Sequence, residues 1–238
     1  MGLKAVLFDF NGVIINDETI HQKLIDDLLL RENLRPSGLE YQQICLGKND
    51  RGCLRDILAK RGRIVSDEYL DKLIQIKAQA YYEIINKIPE LPIFDKVIEF
   101  ILHLQTRHLS LAIITGALYK ETEYILEKIN VRQYFNVIVT GEDINMSKPS
   151  PDAYLLALRK LNHLNPDSQL QPSQCLVIED TPVGIEAGKN ARMSVVGVAN
   201  TYPFHLLQRQ ANWCVDHLME LDLDWIDRTL EKPSIMLE

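Results

Sequence analysis

The sequence predicts an α/β protein: a doubly wound, Rossmann-like parallel sheet with a small α-helical cap inserted into it. Three observations carry that prediction. Short apolar runs rich in β-branched residues recur along the chain and end in glycine or polar residues, as buried parallel strands do. Helical patterns separate the later runs, and such alternation favours a parallel sheet with right-handed crossovers. The first two runs, however, stand apart by residues 11–108, far more than one crossover helix needs, and most of that stretch has helical periodicity.

The first strand is predicted at Lys4–Phe10 (KAVLFDF). A helix follows at Thr19–Arg31, with Ile20, Leu24, Ile25 and Leu28 on one face, and another at Arg51–Arg61 with Leu54, Ile57 and Leu58. A long helix opens at Ser66, an N-cap followed by Asp67 and Glu68, and carries Leu70, Leu73, Ile74, Tyr81 and Ile85. Pro89 and Pro92 punctuate its end. Residues 16–92 are therefore expected to form a helical cap, and residues 1–15 and 93–238 the α/β core. Within that core, strands are predicted at Leu109–Thr115, Asn136–Thr140, Gln174–Ile178 and Ser194–Val198, with a weaker one at Trp213–Val215. Tyr119–Lys128 and Pro151–Leu161 read as helices between them.

Composition excludes several classes. The 238 residues are 46% hydrophobic and 25% charged, ordinary for a globular protein with a sizeable core. Twenty-six basic against 33 acidic residues give a net charge of −7, which does not recruit nucleic acid or an anionic membrane. No apolar stretch approaches the roughly 18 residues that span a bilayer. The start, Met-Gly-Leu-Lys-Ala-Val, lacks a signal-peptide layout, so a cytoplasmic location is expected. Cys45, Cys53, Cys175 and Cys214 show no Cys-x-x-Cys pair, so reduced and mostly buried thiols are expected.

In an open α/β sheet, ligands bind outside the carboxyl ends of the strands. Here those ends read Asp9-Phe10-Asn11-Gly12, Thr115-Gly116 and Glu179-Asp180-Thr181, with Lys148-Pro149 in the loop after the third strand. Taken singly, each feature has a plain structural role: a strand-end aspartate, a terminating turn, a surface lysine, a solvated acidic loop. Together, and in this order, they bring carboxylates, a hydroxyl and a lysine to one rim.

These segments make the chain resemble the haloacid dehalogenase-like superfamily of aspartate-nucleophile hydrolases, and within it the β-phosphoglucomutase-like phosphatases with a small helical cap. The resemblance spans essentially the whole chain. Its carriers are DFNGVIINDE at 9–18, IITG at 113–116, SKPSPDAY at 147–154 and VIEDTPVGIEAGKNA at 177–191. It implies that Asp9 attacks phosphorus and forms an aspartyl-phosphate, splitting one hard displacement into two easier ones. It further implies a Mg²⁺ cofactor held by Asp9, Asp180 and the backbone carbonyl of Asn11, with Glu179 behind it or on a metal-bound water. Clustered anions facing a phosphoryl group need a hard, oxygen-seeking cation between them. Lys148 would neutralise charge at the transferring oxygens, and Thr115 with the Gly116 amide would donate hydrogen bonds to them.

Asn11 departs from the pattern. The family usually places a second aspartate there as general acid/base, and a carboxamide hydrogen-bonds but cannot shuttle a proton. Its loss typically costs about 10²–10⁴-fold, so Asn11→Asp is expected to raise activity on sugar phosphates by roughly 10²-fold or more. An engineered trap, a natural variant acting on good leaving groups and a pseudo-enzyme all fit an asparagine. Dehalogenases of the superfamily also lack the second aspartate but generally need no magnesium, so Glu179-Asp180 speaks for phosphoryl chemistry.

In the cap, LGKNDR at 46–51 resembles the loop that contacts sugar-phosphate substrates in the mutase-like group. Lys48 and Arg51 would hold a distal phosphate or hydroxyls, with His21 nearby. The alternative is that Lys48 and Arg51 are solvated and His21 is plain helix surface. The function implied is a phosphatase or phosphomutase-like enzyme acting on a small phosphorylated metabolite, as a monomer or weak homodimer. The competing reading is a regulatory protein that keeps the phosphate pocket without turnover.

Overall fold

The structure is a computed structural model and describes residues 2–231. It opens with strand β1 (Ala5–Asp9), followed by helices α1 (Glu18–Arg31), α2 (Gly38–Ile44), α3 (Asp50–Lys60) and α4 (Asp67–Ile85). The remainder alternates: α5 (Val97–Thr106), β2 (Ser110–Ile114), α6 (Tyr119–Lys128), β3 (Val137–Val139), α7 (Asp152–Leu164) and β4 (Cys175–Glu179). Helix α8 (Pro182–Asn190), β5 (Ser194–Val198), α9 (Phe204–Leu207), β6 (Trp213–Val215) and α10 (Leu223–Glu231) complete it.

The six strands pair in parallel in the order β3-β2-β1-β4-β5-β6. The chain winds outward from β1 through β2 to β3, then returns to β1's other side with β4. The switch point thus lies between β1 and β4, where a crevice opens at the carboxyl ends. Side chains of β1 alternate between two apolar layers. Val6 and Phe8 join Phe100, Ile125 and Ile226 on one face, and Ala5 and Leu7 join Tyr154, Leu158 and Ile185 on the other. Burial on both faces explains why the strands read as continuous apolar runs.

Helices α1–α4 carry an apolar cluster of their own, in which Ile25, Leu28, Leu54, Ile57, Leu70 and Leu73 are buried. Short helices are marginal alone, so this shared core is what holds them. Ser66 caps α4 by accepting from the Tyr69 amide, as its position predicts. The chain leaves and re-enters the core through adjacent segments: Ile15 bridges Ile93 in antiparallel fashion, and the Asn16 amide donates to the Pro92 carbonyl at 2.7 Å. Leu24, Tyr81 and Ile85 of the inserted helices nevertheless pack into the layer beneath the sheet.

The expectation of reduced thiols is corrected for two cysteines. Cys45 and Cys53 form a disulfide, their Cα atoms 4.4 Å apart. The loop between α2 and α3 doubles back at Gly47 (φ +79), which a spacing of eight residues does not announce. A disulfide is uncommon in a reducing cytosol, so this pair does not support the cytoplasmic expectation. Cys175 is free and buried, and Cys214 is free and half-buried. No helix among the described residues is long and apolar enough to cross a membrane.

Candidate active site

Parallel pairing sets the tips of β1 and β4 side by side, and the site is built on them. Asp9, Glu179 and Asp180 are buried, each offering a carboxylate oxygen within 4.8 Å of the others. Gly12, with φ +81, lets the turn after β1 approach Asp180; a Cβ there would collide with the Asp180 carboxylate. The Asn200 amide donates to the Gly12 carbonyl at 2.7 Å and fixes that turn.

Lys148 ties the anions together. Its Nζ lies 2.6 Å from Asp9 Oδ1 and 2.6 Å from Glu179 Oε1. Burial would lower its pKa, but Asp9 and Glu179 outweigh that and raise it, so Lys148 is a fixed cation. Glu179 is also the acceptor for the hydroxyls of Tyr154 and Thr181. Those contacts make it the holder of Lys148 more than a free ligand.

One lysine does not balance three carboxylates. Burial pushes the Asp9 carboxyl up to about 7, with Glu179 adding to the shift and Lys148 opposing it. Asp180 is raised well above its ordinary value by burial and then by Asp9 and Glu179. Asp180 Oδ1 is buried without a hydrogen-bond partner among the described residues. An oxygen-only donor set with excess negative charge and an orphaned carboxylate oxygen fits a hard divalent cation.

Beside this cluster the Thr115 hydroxyl donates to Asn11 Oδ1 at 3.2 Å and accepts from the Ala117 amide at 3.0 Å. Asn11 Nδ2 donates to Asp17, 3.0 Å from Oδ1 and 3.2 Å from Oδ2. Asp17, at 0% exposure, also accepts from the Tyr81 hydroxyl and pairs with His21 Nε2 at 3.2 Å. Burial alone would raise Asp17, but His21, Asn11 and Tyr81 overcome it and hold the carboxyl below its ordinary value. Lys77 Nζ stands 2.8 Å from His21 Nδ1 and 2.7 Å from Asp50 Oδ1. A charged Lys77 makes Nδ1 the acceptor and leaves the Nε2 proton for Asp17.

The expected site residues do not all meet. Asp9, Asn11, His21, Lys48, Gly116, Lys148 and Asp180 line one cavity with Asp50 and Lys77. His21 is buried and stacked on Tyr81, so the plain helix-surface alternative is corrected: Asp17 and Lys77 hold the ring inside. Lys48 reaches the cavity but is paired with Asp56 at 2.7 Å. Arg51 pairs with Asp67 and Asp71 and lines a neighbouring cleft instead. The cap loop meets the core through Asn49, whose Oδ1 accepts from the Ser147 hydroxyl at 2.7 Å. Gly116 is needed there, since its Cβ would lie 2.8 Å from Asn49 Cα. Lys77, Asp50, Tyr81 and Tyr154 were not expected. Lys77 had a signal, as a lysine set among Leu70, Leu73, Ile74 and Tyr81 on the apolar stripe of α4.

Comparison with known proteins gives the family and the fold. A model of the haloacid dehalogenase-like hydrolases matches residues 6–198. The chain is 27% identical over 199 residues to validoxylamine A 7'-phosphate phosphatase of Streptomyces hygroscopicus subsp. limoneus, covering 84% of this chain and 87% of that one. It is 26% identical over 198 residues to a fructose-1-phosphate phosphatase of Escherichia coli strain K12, covering 82% and 95%. The solved structure of β-phosphoglucomutase from Clostridium difficile superposes with a TM-score of 0.82 at 21% identity, over 96% of this chain and 97% of that one, a likeness of fold. The matched span runs from β1 through β5 and includes Asp9, Glu179 and Asp180, and the chain belongs to the haloacid dehalogenase-like hydrolase family.

Proposed function

We propose that this hydrolase is a magnesium-dependent phosphatase of small phosphorylated metabolites, sugar phosphates foremost, working through an aspartyl-phosphate on Asp9. The observation that carries the reading is the buried cluster of Asp9, Glu179 and Asp180 with Lys148 as its only close cation among the described residues. The phosphate esters named for the relatives support the substrate class. Asp9, Asp180 and the Asn11 carbonyl would hold the magnesium, which when bound supplies neutralising charge between carboxylates and phosphoryl oxygens.

A carboxylate oxygen of Asp9 attacks phosphorus while the bond to the leaving oxygen breaks. Lys148 holds Asp9 in place and offsets charge on the transferring group. Asn11 cannot protonate the leaving oxygen, so that proton comes from solvent. Water then displaces Asp9 from phosphorus, which restores the carboxylate and releases inorganic phosphate. Residues 16–92 act as a cap whose loop at Lys48–Asp50 closes over the bound ester and opens again to admit water for the second step.

The test is a panel of phosphate monoesters with magnesium, assayed for phosphate release by this protein and by Asp9→Asn. Release that needs magnesium and disappears in Asp9→Asn is expected; no release from any ester would reject the reading. Asn11 favours one alternative, a regulatory protein that binds phosphate without turnover. That alternative predicts tight phosphate-analogue binding with no release.

A further inference from the structure

Asn11 looks like a defect when residue 11 is considered alone. Its surroundings show a complement instead. Both oxygens of Asp17 accept from the Asn11 amide, at 3.0 and 3.2 Å, while the Asn11 carbonyl oxygen accepts from the Thr115 hydroxyl at 3.2 Å. Every polar atom of that carboxamide is engaged, and its orientation is fixed by its neighbours. Asp17 in turn is fully buried and held by Asn11, His21 and Tyr81, from the turn after β1, from α1 and from α4.

Consider an aspartate at position 11 in this setting. The Asn11 donation to Asp17 vanishes, and two carboxylates face each other at hydrogen-bond distance in a buried site, with His21 Nε2, 3.1 Å from Asn11 Nδ2 and 3.2 Å from Asp17, shared between them. Loss of the amide leaves a buried charge under-satisfied, and the like charge adds repulsion. The side chain at 11 is therefore matched to the one at 17, and restoring a carboxylate at 11 is not an isolated change.

We infer that Asn11 and Asp17 form a matched pair, with Asp17 the positioning residue that fixes the Asn11 carboxamide, and that the pair sets which leaving groups the site can release. With an amide held at 11 and the carboxylate it contacts, Asp17, locked behind it, the site favours leaving oxygens that depart as weak bases, such as those of acyl and aryl phosphates. This inference rests on the phosphatase reading of the site.

The experiment is a cycle of four forms: the parent, Asn11→Asp, Asp17→Asn and the double exchange Asn11→Asp/Asp17→Asn. Each is measured for thermal midpoint and for the ratio of its rates on a sugar phosphate and on an aryl phosphate, with magnesium. Asn11→Asp alone is expected to lose about 5 °C or more and to gain far less than 10²-fold in that ratio. The exchange restores a donor–acceptor pair, so its midpoint should recover most of the loss and its ratio should rise by about 10²-fold over the parent. Additive midpoints, or a ratio that rises as much in Asn11→Asp alone as in the exchange, would overturn the inference. Absence of phosphate release in all four forms would instead reject the phosphatase reading, while the midpoint cycle would still decide whether the two residues are coupled.

Discussion

The chemistry of the site is governed by a few buried atoms, and Asp180 Oδ1 is the most telling of them. Without a cation, Asp9 and Asp180 are carboxyl groups raised above their ordinary values, so their ionisation opposes folding. For such groups stability is fullest below the unfolded value and is lost as pH rises through the folded one. Metal-free protein in chelator is therefore expected to melt higher at about pH 5 than at about pH 8, because Asp9 titrates near 7. Magnesium should raise the midpoint at about pH 8 and flatten the dependence. In Asp180→Asn the metal-free dependence should shrink, and calorimetry should show magnesium binding strongly weakened. A chelated parent whose midpoint rises from pH 5 to pH 8, or equal magnesium affinity in the variant, would contradict this account. Most of these residues were legible because Asp9, Lys148, Glu179 and Asp180 sit in motifs. Lys77 and Asp50 were not, since their pairing joins α4 to the start of α3 and no local spacing records it.

At the scale of elements, strands were legible and several helices were not. The β1 and β4 strands are buried along their whole length, so their sequences carry an unbroken apolar signal. Helices α5 and α8 escape periodicity for opposite reasons. VIEFILHL is apolar on nearly every side, and PVGIEAGKN spends two positions on glycine, a poor helix former. Those glycines allow close packing: a Cβ at Gly188 would lie 2.8 Å from Val195. Helices α1–α4 meet the core through the paired crossings at Ile15 and Ile93 and through the Asn49–Ser147 contact across the pocket. The crossings are the expected hinge, near Ile15–Asp17 and Lys87–Pro92. A phosphate transition-state mimic with magnesium should make the protein more compact in solution scattering, and Asn49→Ala should weaken that response. Identical profiles with and without the mimic would argue for a fixed cap.

For the whole molecule, function follows from topology. The sheet switches direction between β1 and β4, which brings Asp9, the proposed nucleophile, from one strand end against Glu179 and Asp180, the latter the proposed magnesium ligand, from the other. Helices α1 and α4 supply part of the cavity lining, and the buried network around Asp17 and His21 reaches residue 11 from them. Such a site should accept a phosphoryl group readily from a weakly basic leaving group and release it slowly, because no carboxylate at residue 11 activates the attacking water. The aspartyl-phosphate should then accumulate. The most direct measurement is mass spectrometry of the protein after incubation with acetyl phosphate and magnesium. A phosphate adduct that maps to Asp9 and is absent from Asp9→Asn is the predicted result, and no adduct in a protein that binds magnesium normally would contradict it.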